Sequence, residues 1–454
     1  MRESKLKLNW FSPLPPARTD IAHYTARVLP ALATLADVTL WTDQSEWDHG
    51  VEQYAEVRRF RLSRMPWVDL NRANASFYHI GNNPHFHGPI WQISRLHPGV
   101  VVLHDFRLHH FFDGLYRAQW HDLNSYLAVM SNYYGDEGRR DAADCYRNDA
   151  RNIQYMAERY PLTELAIENA LGVIVHTQET FAALAENSRA PITYAPLPFA
   201  ASGPAEQHQT RQSAGPPYRL IVVGYIGRNR RLEAVCNALA ALPEKDQFHL
   251  DVYGNILDGE TQLRALLRSL DLKKHVTLHG FAAEAELDEA LSRAQLAINL
   301  RYPTMGEASG SQLRIWSHSL PSLVSRVGWY GSLPADAVAF VRTDDNEVAD
   351  IQAHLQAFLA QPAAFALMGE RGRNELDQKH TPNEYAKTIV ATAAKAEEFR
   401  ARAVSFKLAE RAGMLLSEWL GPNAIEAACD SVAQEIVDLA GGASAAHREG
   451  AERV

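Results

Sequence analysis

The feature that most constrains this chain is a pattern it carries twice. Short runs of β-branched and aromatic residues alternate with stretches whose apolar residues recur at three- and four-residue spacing. In the first block the candidate strands are Leu6–Phe11, Val38–Thr42, Val57–Arg61, Phe77–Ile80, Val100–Leu103 and Val173–Val175. Between the first two, Ile21, Tyr24, Val28, Leu29 and Leu32 share one helical face behind Thr19 or Asp20 as the cap. Strand, crossover helix and strand make a βαβ unit, and its repetition predicts a parallel sheet with helices packed on it.

The segment from Ala201 to Pro217 has almost no large apolar side chain to bury, and its Gly and Pro residues break any periodicity, which marks a linker. The alternation then restarts. Strands are predicted at Arg219–Val223, Phe248–Tyr253, Val276–His279, Leu296–Leu300, Ser322–Ser325 and near Ala337–Arg342, with helices over Leu232–Leu242, Gln262–Leu270, Glu284–Arg293 and from about Ser311. Val404, Leu408, Leu415 and Trp419 lie on one face of a later helix, a second helix is predicted near Ala424–Leu439, and 441–454 reads as frayed. The predicted class is α/β, with a first domain over 1–200, a linker over 201–217, a second domain over 218–380 and a helical segment over 381–454. Ligands of such sheets sit at the carboxyl ends of the strands, so two facing domains make a cleft there.

Charge removes several function classes. With 45 Lys and Arg against 54 Asp and Glu the net charge is −9, which argues against a nucleic-acid platform. The 3 cysteines are widely spaced and odd in number, which fits neither a disulfide framework nor a paired-cysteine metal site. Met1 to Trp10 shows no long apolar stretch before a cleavage site, and no apolar run reaches the ~18 residues of a membrane span. The expected location is the cytoplasm.

Three stretches carry candidate chemistry. In NLRYPTMGEASGSQLRIWS a strand end leads through Gly306, Glu307, Ser309, Gly310 and Ser311 into a helix. Small residues let the backbone approach a ligand, and free amides at a helix start favour an anion such as a diphosphate; Glu307 could accept hydrogen bonds from sugar hydroxyls or simply be solvated. In VVGYIGRNRRL a strand enters a turn at Gly224 and presents Arg228, Arg230 and Arg231, whose guanidinium groups could bind phosphate oxygens or form a solvated basic turn. The third stretch, around YHIGNNPHFHG and VVVLHDFRLHH, delivers His104 and Asp105 to a strand's carboxyl end. An imidazole there could hydrogen-bond a sugar hydroxyl or stabilise charge at an anomeric carbon. His85, His87, His104, His109 and Asp105 could instead be metal ligands, or satisfied structural groups. No Asp-x-Asp occurs, nor a P-loop, G-x-S-x-G or G-x-G-x-x-G signature, so P-loop NTPase, α/β-hydrolase and ordinary dinucleotide-dehydrogenase readings lose their main support.

Together these residues resemble the GT4 family of GT-B-fold retaining glycosyltransferases, the subfamily acting mainly in bacterial surface-polysaccharide assembly. The resemblance is carried by FSPLPPARTDIAHY, YHIGNNPHFHG with HPGVVVLHD, YPLTELAIENALGVIVHT, and RYPTMGEASGS with VGWYGSLP. It implies two Rossmann-like domains facing a cleft, with a helix near 380–400 crossing back to the first. It also implies a nucleoside-diphosphate sugar as co-substrate, a glycan or lipid-linked acceptor, no metal or other cofactor, and peripheral contact with the inner face of the cell membrane. The basic and aromatic segment VRRFRLSRMPW could serve that contact. By the same resemblance Glu307 is the donor-sugar glutamate, and Gly306, Ser309, Gly310 and Ser311 line the diphosphate with Gly224, Arg228 and Arg231. Arg230 stands where the family has a phosphate-binding lysine, and His104 approaches the reacting sugar. Asp20, Asn82, Asn83 and Asp105 fall on the acceptor side. Departures are Arg314 and Ile315 near the place of a ribose-binding glutamate, Tyr225 for a phosphate arginine, Asp20 for glycine, and Ser332 for glutamate. They keep open two other readings, a non-catalytic nucleotide-sugar-binding partner and a nucleotide-sugar hydrolase or epimerase.

Overall fold

A computed structural model describes residues 5–148, 152–200 and 215–419. Its strands are β1 (Leu6–Phe11), β2 (Ala36–Thr42), β3 (Glu56–Arg59), β4 (Ala75–Ile80), β5 (Val100–Leu103), β6 (Gly172–Val175) and β7 (Ile192–Tyr194), followed by β8 (Tyr218–Val223), β9 (Phe248–Tyr253), β10 (Val276–Gly280), β11 (Leu296–Asn299), β12 (Ser322–Ser325) and β13 (Ala339–Val341). They form two sheets of order β3-β2-β1-β4-β5-β6-β7 and β10-β9-β8-β11-β12-β13, and every pairing is parallel. Most inner strands are buried along their whole length, as β4, β5, β6, β11 and β12 are, because helices cover both faces.

In each sheet the chain reverses its direction of growth at the first strand, between β1 and β4 and between β8 and β11. The segments leaving those strands therefore border a crevice. After β1 the chain turns into the helix Asp20–Leu35, which Thr19 caps by accepting from the Ile21 amide at 3.4 Å. After β4, Asn83 caps the helix Pro84–Leu96 through the His85 amide at 3.0 Å. After β11, Ser309 caps the helix Gly310–Ser317 through the Gln312 amide at 3.1 Å.

The last helix, Pro382–Trp419, leaves the second domain and packs on the first. Tyr385, Ala386, Ile389, Ala393 and Ala396 enter the core of the first domain, and the Tyr385 hydroxyl meets that of Tyr24 at 2.5 Å. The crossing expected near 380–400 is thus present. β7 was not anticipated, because three half-buried residues give too short an alternation to read. β3 stops two residues before the predicted end, where a turn of helix begins at Leu62. Most of the expected linker, over 201–214, and the predicted helix at 424–439 lie outside the described residues.

Candidate functional site

The second domain contributes a buried cation. Gly224 follows β8 with φ +113, and a Cβ there would come within 2.5 Å of Arg230 Nη2, so glycine makes room for the guanidinium. Arg230 is 4% exposed, and its N–H groups donate to Asn299 Oδ1 at 2.6 Å, Ser311 Oγ at 3.2 Å and the Tyr225 carbonyl at 3.3 Å. Asn299 is in turn fixed by Gln312 at 2.9 Å, and Gln312 by Ser322 at 2.7 Å. Burial and the neighbouring Arg301 bring the Arg230 pKa down to about 10, which leaves it charged at neutral pH. Among the described residues no carboxylate lies within ion-pair distance of it. A buried charge left in that state is costly unless something neutralises it.

The loop after β11 adds a second arginine and the start of a helix. Glu307 is no solvated loop tip. Its Oε2 accepts from Thr304 Oγ1 and the Met305 amide, both at 2.7 Å, and its Oε1 lies 3.2 Å from Arg301 Nε. Gly310 and Ser311 open the helix beyond the Ser309 cap, where the first amides have no intrahelical acceptor. Space above Gly310 is open, since a Cβ there would meet nothing within 4 Å. On the second domain's side, two guanidinium groups, one shared carboxylate and a helix N-terminus therefore leave an excess of positive charge at the carboxyl ends of β8 and β11.

The first domain closes on this loop. The Phe106 and Arg107 amides donate to the Met305 carbonyl at 2.9 and 2.8 Å, and Arg107 Nη1 donates to the Thr304 carbonyl at 2.9 Å. Asp105 receives the Asn82 amide at 2.8 Å. Burial, the Glu307 charge and, more weakly, Asp20 push its pKa up to about 7. His104 follows β5, with Nε2 3.0 Å from His79 Nδ1 and its ring edge-on to Tyr24. Burial and the nearby imidazoles of His176, His79 and His87 hold its pKa well below the usual histidine range, so it is neutral at pH 7. Asp20, in the first turn of its helix, acts electrostatically on both Arg230 and Arg301, so the carboxylate that departs from the family pattern faces cations.

The structure thus brings together Arg230, Gly224, Glu307, Gly306, Ser309, Gly310 and Ser311, opposite His104, Asp105 and Asp20. It does not do so for the other two arginines of the basic turn. Arg231 forms a bidentate pair with buried Glu347, at 2.6 to 3.1 Å, and Arg228 is exposed beside Asp258 at 3.6 Å. Asn82 and Asn83 are braces: Asn82 holds the Arg107 carbonyl and the Phe111 amide, and Asn83 caps its helix. Of the candidate metal ligands, His87 and His109 hydrogen-bond the carbonyls of His79 and Tyr160, at 2.9 and 2.6 Å. Among the described residues no three His, Cys, Asp or Glu side chains converge as a metal site. Arg301 and Asn299 were not singled out from sequence. The readable signal was an arginine two residues beyond the end of a strand.

Two doubly wound domains closed over a cleft, with the last helix crossing back to the first, define a GT-B scaffold. Within it, residues 205–375 match the family model described as glycosyl transferases group 1. Among solved structures, sucrose-phosphate synthase from Thermosynechococcus elongatus is similar, with 16% identity over 85% of this chain and 98% of that one and a TM-score of 0.60. HepE from Anabaena, solved in complex with UDP and glucose, is 15% identical over 86% and 99% of the two chains, with a TM-score of 0.58. WaaG, a glycosyltransferase involved in lipopolysaccharide biosynthesis, is 15% identical over 85% and 99%, with a TM-score of 0.51. No curated protein matches the chain at a significant level.

Proposed function

We propose that the chain is a retaining, metal-independent glycosyltransferase that moves a sugar from a nucleoside-diphosphate donor to a hydroxyl of a glycan or lipid-linked acceptor, in bacterial surface-polysaccharide or glycoconjugate assembly on the cytoplasmic side of the membrane. The observation that carries this reading is the buried Arg230 guanidinium, held by Asn299, Ser311 and the Tyr225 carbonyl and, among the described residues, with no carboxylate at ion-pair distance. An anionic ligand is what such a group lacks. The group 1 domain and the UDP complex of HepE support a nucleotide sugar as that anion.

On this reading the donor diphosphate lies over Gly310 and Ser311 with Arg230 and Arg301 beside it. The bond between the anomeric carbon and the diphosphate oxygen breaks, and the acceptor oxygen bonds to that carbon on the same face. The departing phosphate oxygen takes the acceptor's proton. Two guanidinium groups and a helix N-terminus stabilise the charge that develops on the leaving group, in positions set before the reaction begins. That charge stabilisation comes from the chain's own groups rather than a metal ion, and the sequence has no Asp-x-Asp to hold one.

The membrane contact falls on a smaller patch than the sequence offered. Phe60 and Met65 are buried and Arg58 pairs with Glu56 and Asp69, but Arg59, Arg61 and Arg64 stay exposed beside Leu62, Trp67 and Val68. Such a patch suits an anionic lipid surface. Among the described residues no helix is long and apolar enough to cross a membrane.

The test is a thermal-shift screen of UDP-, GDP- and dTDP-sugars in EDTA. A bound donor at a hundredfold its Kd adds about 2.7 kcal/mol. Stabilisation by one nucleotide class, with transfer at least ~10-fold slower in Glu307→Ala, supports the reading. No stabilisation by any of the three contradicts it.

A further inference from the structure

His104 does not stand alone at the cleft. Behind it, fully buried under Trp10 with ring centroids 4.3 Å apart, lies His79. His79 Nδ1 and His104 Nε2 are 3.0 Å apart, so one of these nitrogens carries the proton and the other accepts it. His79 Nε2 is buried and, among the described residues, has no hydrogen-bond partner, and that decides the direction. If His104 were the donor, the His79 proton would sit on Nε2, as a buried N–H with no acceptor. If His79 is the donor, Nε2 keeps only a bare lone pair, and under-satisfied buried acceptors are the more tolerated of the two. The surrounding imidazoles follow the same pattern. His87 and His176 each place Nδ1 on a backbone carbonyl at 2.9 Å, which fixes their protons there.

We propose that His79 is a positioning residue that donates from Nδ1 to His104 Nε2 and so fixes His104 as a neutral hydrogen-bond donor, its own proton on Nδ1. His104 is half-buried, and among the described residues its Nδ1 has no hydrogen-bond acceptor for that proton. The recognised ligand atom is therefore an oxygen acceptor, such as a sugar hydroxyl or ring oxygen. The pair makes His104 unable to act as a base through Nδ1. The consequence for turnover rests on the glycosyl-transfer reading, whereas the tautomer does not.

The experiment uses the full chain labelled with 15N-histidine. Long-range proton–nitrogen correlations separate imidazoles protonated on Nδ1 from those protonated on Nε2, and the His104 signals are assigned by their loss in His104→Gln. In the parent, His104 is expected to be protonated on Nδ1. In His79→Phe its two nitrogens should interchange or average, and in His79→Asn, whose amide takes the place of Nδ1, the parent pattern should return. Unchanged His109 and His176 signals show that the variants are folded. A parent His104 protonated on Nε2, or the same His104 pattern in His79→Phe, overturns the assignment without reference to any substrate. With donor and acceptor present, His79→Phe should lower kcat about tenfold at unchanged nucleotide affinity and His79→Asn should restore it. An unaltered kcat in His79→Phe would overturn the role in turnover.

Discussion

Arg230 and Arg231 are adjacent in sequence, and burial separates their roles. Arg230 is enclosed by neutral acceptors, whereas Arg231 takes a left-handed backbone (φ 56) and clamps Glu347, whose side chain is 5% exposed. Removing Arg231 leaves that carboxylate buried without its cation. Arg231→Ala is expected to lose about 1–3 kcal/mol in denaturant unfolding and to keep nucleotide binding. From the sequence these residues, with Arg228, formed one basic turn, because spacing says nothing of which guanidinium points inward. Glu307 was legible as a loop residue of the site, but not its bonds to Thr304, Met305 and Arg301, which depend on the folded turn. Asp105 carries a second residue-scale prediction. Its folded pKa, about 7, is above the unfolded value, so the folded state binds the extra proton between roughly pH 4 and 7. This contribution to stability is complete at low pH and is lost as pH rises through 7. Asp105→Asn should therefore be stabilised relative to the parent at pH 8 and gain little at pH 4, measured as the difference in thermal midpoint; an equal difference at both pH values would show that Asp105 is not so perturbed.

At the scale of elements, the long strands and the helices between them were readable because burial on both sheet faces writes a continuous apolar run. Ends and short pieces were not, as β7 shows, because a three-residue strand has no period. The last helix divides into two parts that the sequence did not distinguish. Up to Ala403 it buries apolar residues against the first domain, and beyond that Val404, Phe406, Leu408 and Leu415 are exposed, with Glu410 paired to Arg189. Changing the exposed Val404 and Leu408 together to serine should shift unfolding by less than about 1 kcal/mol. A chain ended before Pro382 should not give a cooperatively folded first domain, because it loses Tyr385, Ile389 and Ala396 from the core. Circular dichroism melts of both variants check this.

For the whole molecule, the two sheets and the cleft between them follow from the doubled βαβ pattern, while the way the domains meet does not. Across the junction the Phe106 and Arg107 amides donate to the Met305 carbonyl, bonds between backbone groups that any residues could supply, and the Tyr225 hydroxyl donates to the Arg18 carbonyl, a pairing that no spacing in the sequence signals. The surface patch at Arg59, Arg61 and Arg64 belongs to this scale too. Co-sedimentation with vesicles rich in anionic lipid is expected at low salt and should fall when these three are changed to serine together. Binding that is absent in the parent, or indifferent to the change, would remove the membrane contact.

On the proposed function, Arg230 is the cation that takes the donor diphosphate. Calorimetric titration of UDP, GDP and dTDP into the parent, Arg230→Ala and Arg231→Ala, all in EDTA, isolates that role. One nucleotide is expected to bind the parent and Arg231→Ala alike and to bind Arg230→Ala at least ~10-fold more weakly, about 1.4 kcal/mol. Equal affinity in Arg230→Ala, or a loss confined to Arg231→Ala, would remove Arg230 from the donor site.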